Sequence, residues 1–169
     1  MLASAVRDYL ELYGVLIGDR VVLTTNNDDA YRTALKLKEN GINVPAILDA
    51  RKSASNNLVK KVEEEGIKVL FGKCIGRVEG KKRVESIGVC AVNGQGSIED
   101  TIQCNGVAVS GGWVPNANLW SHCGGKLEWD KKNGFYKPDH NKSSIGHDGE
   151  PNMIALGSCS GVFTNFEIQ

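Results

Sequence analysis

The sequence predicts an α/β fold in which helices, a parallel sheet and an antiparallel β-meander form three layers. Three observations carry this prediction. Short apolar runs alternate with amphipathic helical stretches through residues 20–71. After residue 71 the pattern changes to brief segments broken by Gly80-Lys81-Lys82 and by Asn93-Gly94-Gln95-Gly96. An apolar strand then returns at residues 105–110. Strands alternating with helices read as parallel βαβ units, whereas turn residues at close spacing read as a meander.

Each element follows from its own pattern. Leu2, Val6, Tyr9, Leu10 and Tyr13 recur at helical spacing and Gly14 follows, so residues 3–13 form an amphipathic helix closed by glycine. Residues 20–24, Arg-Val-Val-Leu-Thr, suit a strand buried on both faces. Ala30, Ala34, Leu35 and Leu37 place an apolar stripe on a helix that starts after the 26–29 turn and ends at Gly41. A second strand occupies 44–48, with Pro45 tolerated near its beginning. Together these make a βαβ unit of about thirty residues.

Residues 54–65 give another helix, capped by Ser53 or Ser55 and stopped at Gly66, and 67–71 a third strand. The meander comprises 75–78, 84–92 and 97–103. Beyond the strand at 105–110, Gly111 and Gly112 break the chain, residues 131–149 read as a loop with one hairpin, and 152–156 reads as a closing strand.

Composition excludes several classes of function. Lys and Arg number 20, as do Asp and Glu, giving a formal net charge of zero and no preference for polyanions, nucleic acid or acidic membrane surfaces. Residues 1–14 carry Arg7, Asp8 and Glu11 in place of a signal peptide's apolar stretch, and no run approaches a membrane span. The five cysteines form no C-x-x-C pair and are expected as reduced thiols in a cytoplasmic protein. His122, His140 and His147 show no ligand spacing, so no metal site is expected, and no catalytic grouping emerges from residue order. The charge run of Lys60, Lys61, Glu63, Glu64 and Glu65 reads as a solvated helix face, and Trp113, Trp120 and Trp129 as packing under loops.

Strand, helix, strand, helix, strand, meander and strand is the layout of a Rossmann-like nucleotide-binding half. In such a unit the first turn carries glycines, because bare backbone amides at a helix N-terminus must approach a diphosphate closely. Here that turn reads Thr24-Thr25-Asn26-Asn27-Asp28-Asp29-Ala30, without glycine. Its side chains obstruct the approach, and two carboxylates occupy the positive end of the helix dipole, opposing phosphate by about 1 kcal/mol. The turn is therefore expected to have given up diphosphate binding, with Asn27, Asp28 and Asp29 serving as a helix cap and acidic first turn. Asp49, roughly twenty residues on, stands where an acid would hold a ribose, but is expected to be a vestige of that role or to pair with Arg51.

Two strings, residues 25–34 (TNNDDAYRTA) and 109–116 (VSGGWVPN), resemble the alpha subunit of heterotetrameric sarcosine oxidase. The likeness extends through residues 5–10 (AVRDYL) and 124–130 (GGKLEWD). It implies a central fragment of that subunit, a two-dinucleotide-binding-domain type of flavoprotein region. Residues 17–108 would be a Rossmann-like insertion domain, and 1–16 and 109–169 segments of the surrounding NAD/FAD-type domain. The resemblance further implies oxidative demethylation of sarcosine by the whole complex, NAD on a glycine-rich turn upstream, a folate-handling domain downstream, FAD and FMN elsewhere in the complex, and a beta subunit among the partners.

Under this resemblance Ser110, Gly111 and Gly112, with Gly157 and Ser158, are the candidate cofactor-contacting residues. Ser158 stands where relatives commonly carry an acid toward the flavin's sugar chain. The isolated chain is expected not to be active by itself and to bind NAD feebly. The alternatives are an alpha-type subunit of a related amine, opine or proline dehydrogenase, and a non-enzymatic Rossmann-like interaction module.

Overall fold

The computed structural model describes residues 1–54 and 56–163. The chain divides into two compact units, Met1–Gly112 and Trp113–Gln169.

In the first unit, helix α1 (Ala3–Tyr13) ends at Gly14, whose φ of 63° lets its N–H turn back onto the Leu10 carbonyl. Strand β1 (Val21–Thr25), helix α2 (Asp29–Glu39), strand β2 (Ala46–Asp49), helix α3 (Asn57–Glu64) and strand β3 (Lys68–Phe71) then alternate. Strands β4 (Lys73–Glu79), β5 (Ser86–Ala91) and β6 (Ile98–Gln103) form the meander, and β7 (Gly106–Ser110) returns to the first sheet. The parallel sheet has the order β3-β2-β1-β7, and the antiparallel sheet the order β4-β5-β6.

Side-chain alternation explains the three layers. Val21 and Leu23 of β1, Ile47 of β2 and Ala108 of β7 face one core, against Ala3 and Val6 of α1, Ala30, Tyr31, Ala34 and Leu37 of α2, and Val59 and Val62 of α3. Val22, Ala46 and Leu48 face the other core, against Ile87 and Val89 of the meander. Both faces of the parallel sheet are thus covered, which is why its strands read as continuous apolar runs while the edge strands β4 and β6 carry the polar positions.

Some boundaries and one element depart from expectation. The ladder of β2 begins at Ala46, because Pro45 lacks the N–H that pairing at that point needs. The cap of α3 is Asn56, whose Oδ1 accepts from the N–H groups of Leu58 and Val59, in place of Ser53; Ser55 lies outside the described residues. The expected strand at 152–156 is not formed. Ile154 and Leu156 are exposed, and the only pairing nearby among the described residues is the bridge of Pro151 to Ile145. An apolar run becomes a strand only with a neighbouring strand to pair with.

In the second unit a short helix α4 (Asn118–His122) precedes the hairpin of β8 (Leu127–Asp130) and β9 (Phe135–Pro138). Its turn is held by the Asp130 carboxylate, which accepts from the backbone N–H groups of Lys132 and Asn133. Trp120 is buried and its indole N–H donates to the Lys126 carbonyl at 2.7 Å. Trp113 and Trp129, expected under loops, are instead half exposed; Trp129 packs edge-on against Tyr136 on the hairpin surface.

Candidate functional site

In an open parallel sheet, ligands bind beyond the carboxyl ends of the strands, where the strand order reverses. Here that point lies between β1 and β7, since the connections from β1 lead away to β2 and β3 on its other side. Three residues end there side by side: Thr25 pairs with Asp49 in β2 and with Ser110 in β7. The turn from β1 into α2 crosses this crevice.

The protein's own side chains occupy it. Asn27 Nδ2 donates to the Ser110 carbonyl at 3.0 Å, and the Ser110 hydroxyl donates back to Asn27 Oδ1 at 3.0 Å. The same Oδ1 accepts from the backbone N–H of Asp29, the first residue of α2, at 3.0 Å. Thr25 Oγ1 accepts from the Asn27 N–H at 3.1 Å and donates to the Asn27 carbonyl at 2.9 Å. The cap position, Asp28, makes no side-chain cap bond. Two amides that a diphosphate would approach, those of Asn27 and Asp29, are therefore already satisfied by the chain itself.

The acidic residues are equally engaged. Asp29 pairs with Arg7 of α1 at 3.1 Å, which ties the start of α2 to the first helix. Arg51 stands between two carboxylates, 2.7 Å from Asp49 and 2.8 Å from Asp28. The Asp28 contact lies outside hydrogen-bond geometry, so its shielded Oδ1 is compensated by the guanidinium charge and not by a directed bond. Asp49 is fully buried and receives the Tyr31 hydroxyl at 2.7 Å on one oxygen and the Arg51 N–H at 2.9 Å on the other.

Burial alone pushes the Asp49 carboxyl up. The bonds from Arg51 and Tyr31 outweigh it and hold the group below the usual carboxylate range. Burial, then the hydrogen bond to Asp49 and the charge of that carboxylate, drive the Tyr31 phenol well above its ordinary value, and the paired carboxylates raise Arg51. All three groups keep their ordinary charge states at neutral pH: Asp49 and Arg51 as an ion pair, Tyr31 as a neutral donor.

Of the two expectations for Asp49, a vestige or a partner of Arg51, the structure contains the pairing. The third member, Tyr31, was legible only as a hydroxylated ring within an apolar helix stripe. The bond between Asn27 and Ser110 spans 83 residues of sequence and left no local signal.

Ser110 thus lies in the crevice network, followed by the exposed Gly111 and Gly112. A Cβ at Gly111 would meet nothing within 4 Å, whereas Gly112 has φ 106° and lies beside the Asn26 side chain. Gly157 and Ser158 belong to the second unit, in a single 3-10 turn spanning Gly157–Ser160. There the Gly157 carbonyl accepts from the Ser160 hydroxyl at 2.8 Å, and Ser158 is exposed. Among the described residues no three His, Cys, Asp or Glu side chains converge to hold a metal ion, and no helix is long and apolar enough to cross a membrane.

Comparison with known proteins agrees with this architecture. The crystal structure of T. acidophilum thioredoxin reductase superposes with a TM-score of 0.58 at 18% identity, covering 83% of this chain and 47% of that one. The bacillithiol disulfide reductase Bdr of Staphylococcus aureus superposes with a TM-score of 0.55 at 19% identity, over 78% of this chain and 45% of that one. A 2-naphthoyl-CoA reductase gives 0.58 at 17% identity, over 93% and 20%. At these identities the likeness is one of fold, and it is Rossmann-like.

No protein-family model matches the chain. Curated relatives do. The sarcosine oxidase subunit alpha of Corynebacterium sp. (strain P-1) is 34% identical over 143 residues, 82% of this chain and 15% of that protein. Its counterpart in Rhizobium meliloti (strain 1021) is 33% identical over 162 residues, 95% of this chain and 16% of that protein. The chain spans about one sixth of the length of these relatives. Over most of its own length it belongs to the sequence family of sarcosine oxidase alpha subunits, as the counterpart of one segment of that longer protein.

Proposed function

We propose that this chain is a cofactor-domain scaffold within the alpha subunit of a sarcosine oxidase-like flavin oxidoreductase. The whole complex, with its beta and other subunits in a heterotetramer, would oxidatively demethylate sarcosine. NAD would be held by a glycine-rich turn outside this chain, and FAD and FMN elsewhere in the assembly. The observation that carries the reading is the crevice between β1 and β7, where the side chain of Asn27 bonds to Ser110 and to the first amide of α2. A diphosphate does not fit that turn, so no step of the reaction is assigned to it.

Residues 17–108 are read as an inserted domain, and 1–16 and 109–169 as parts of the surrounding dinucleotide-binding domain. An insertion must receive and return the chain at neighbouring points. The parallel bridge between Leu2 and Val109 pairs the two flanking segments with each other, which supports their belonging together, and α1 would then be the surrounding domain's helix resting on α2. Ser110, Gly111 and Gly112, and separately Gly157 and Ser158, would approach a cofactor held by neighbouring parts, through backbone and small side chains. Gly111, exposed and without a side chain, has the openness such an approach needs.

The test compares NAD binding to this chain and to the complete subunit by calorimetry. The complete subunit should bind at least about a hundredfold more tightly, with amide exchange at 110–112 slowed only there. Stoichiometric, micromolar binding by the isolated chain would overturn the reading.

A further inference from the structure

The meander brings two of the five cysteines together. Cys74 of β4 and Cys90 of β5 are directly opposed in the antiparallel register, and their Sγ atoms lie 3.4 Å apart. Opposed residues in such a ladder have Cα atoms about 4.5–5.5 Å apart. A disulfide spans Cα separations of about 4.4–6.8 Å, so closing the bond needs side-chain rotation and no backbone displacement.

The surroundings are shaped for the pair. The register shifts between Ile75 and Arg77 where β4 meets β5, and between Val89 and Cys90 where β5 meets β6, so both irregularities lie next to the thiols. A Cβ at Gly76, within the first bulge, would come within 2.9 Å of Cys90 Sγ; the glycine leaves the space that the thiol occupies. Cys74 is partly exposed while Cys90 is buried, so a reagent from solvent meets Cys74 first. Cys123 and Cys159 are exposed, and Cys104 lies buried in the core against the parallel sheet.

We propose that Cys74 and Cys90 form a reversible dithiol–disulfide couple, oxidised by small-molecule disulfides. The Cys74 thiol loses its proton to solvent, and its sulfur attacks one sulfur of the oxidant, whose S–S bond breaks to release one thiolate. Cys90 then loses its proton and attacks Cys74 Sγ, forming the intramolecular bond and expelling the second thiolate. Two protein thiols are oxidised and one small disulfide is reduced to two thiols. Burial, and then the neighbouring Cys90, hold the Cys74 thiol above its ordinary value, so the first attack quickens as pH rises. The closed bond fixes β4 to β5, the strands that cover one face of the parallel sheet.

The experiment uses the full 169-residue chain with the exposed Cys123→Ser and Cys159→Ser substitutions. It is incubated with oxidised glutathione at about pH 8, acid-quenched, alkylated in denaturant and mapped by peptide mass. The expected product is a cross-linked peptide pair containing Cys74 and Cys90, lighter by two hydrogens and restored by dithiothreitol, with Cys104 alkylated. Its melting temperature should exceed that of the reduced chain by on the order of 5 °C. Adding Cys90→Ser should leave a stable glutathione adduct on Cys74. Should the variant fail to fold, the peptide map and melting curve of the intact pair decide by themselves. Full alkylation of both cysteines after oxidation, or a glutathione adduct that persists on Cys74 with Cys90 present, would overturn the proposal.

Discussion

Replacing Asp49 by Asn removes one charge from the most heavily bonded side chain among the described residues while keeping its shape. The carboxylate accepts from the Tyr31 hydroxyl at 2.7 Å and from three nitrogens of Arg51, the backbone N at 2.9 Å, Nε at 3.1 Å and NH2 at 2.7 Å. An amide has one accepting oxygen, so its NH2 must face either the Tyr31 hydroxyl with the Arg51 terminal NH2, or the Arg51 backbone N–H with Nε. A hydrogen bond to a charged group contributes about 1.5–3 kcal/mol, and a buried donor left unpaired costs about 1–3 kcal/mol. Arg51 is 31% exposed and keeps Asp28 at 2.8 Å, which discounts the loss on that side. Asp49→Asn should therefore destabilise by about 2–4 kcal/mol at neutral pH.

The pH dependence fixes the cause. The folded-state pKa of Asp49 is lowered, so its stabilisation is present above the unfolded carboxylate value near about 3.9 and is lost as pH falls through the folded value. Urea unfolding should show a large gap between wild type and Asp49→Asn at pH 7 that narrows at about pH 3. Tyr31→Phe should cost about 1–2 kcal/mol, and the double variant less than the sum of the two. A gap below about 0.5 kcal/mol at neutral pH, or one unchanged by acid, would refute the reasoning.

Three further outcomes are expected from the same geometry. Gly112→Ala, at φ 106°, should cost about 1–3 kcal/mol while Gly111→Ala, with open space around it, stays near neutral; equal melting temperatures for the two would contradict the difference. Asn56→Ala should lower stability by about 1 kcal/mol through loss of the α3 cap, read as a shift of the urea midpoint with an unchanged slope. Leu23→Ala, in a fully buried position, should cost about 2–5 kcal/mol, whereas Leu119→Ala, 68% exposed, should stay within about 0.5 kcal/mol in the same unfolding assay.

Patterns with a local cause were legible in the sequence. The βαβ order followed from Val21, Val22 and Leu23 beside the stripe of Ala30, Ala34 and Leu37, and the meander from its glycine and asparagine turns. Boundaries moved where one atom decides: the missing N–H of Pro45, or the Asn56 oxygen that outcompetes Ser53 for the α3 amides. The run at 152–156 was misread because an apolar segment carries no record of whether a partner strand exists. Trp113 and Trp129 were misplaced for a related reason, since aromatic size signals burial only when other elements supply the cover.

The candidate site was half legible. The absence of glycine from the Asn26–Asp29 turn told that side chains stand in the crevice, and the pairing of Asp49 with Arg51 was one of two readings open for that acid. What fills the crevice was not legible, because Asn27 meets Ser110 only after β7 has returned beside β1, and Tyr31 meets Asp49 only after α2 has folded over β2.

The most direct measurement is an NMR titration of the nitrogen-15-labelled chain with pyrophosphate, following the amides of Asn27, Asp29 and Ala30. Shifts that stay flat and unsaturated up to about 10 mM are expected, because the Asn27 side chain and the two carboxylates already hold that end of α2. Saturable shifts at those three amides, with a dissociation constant below about 1 mM, would mean that the crevice accepts phosphate.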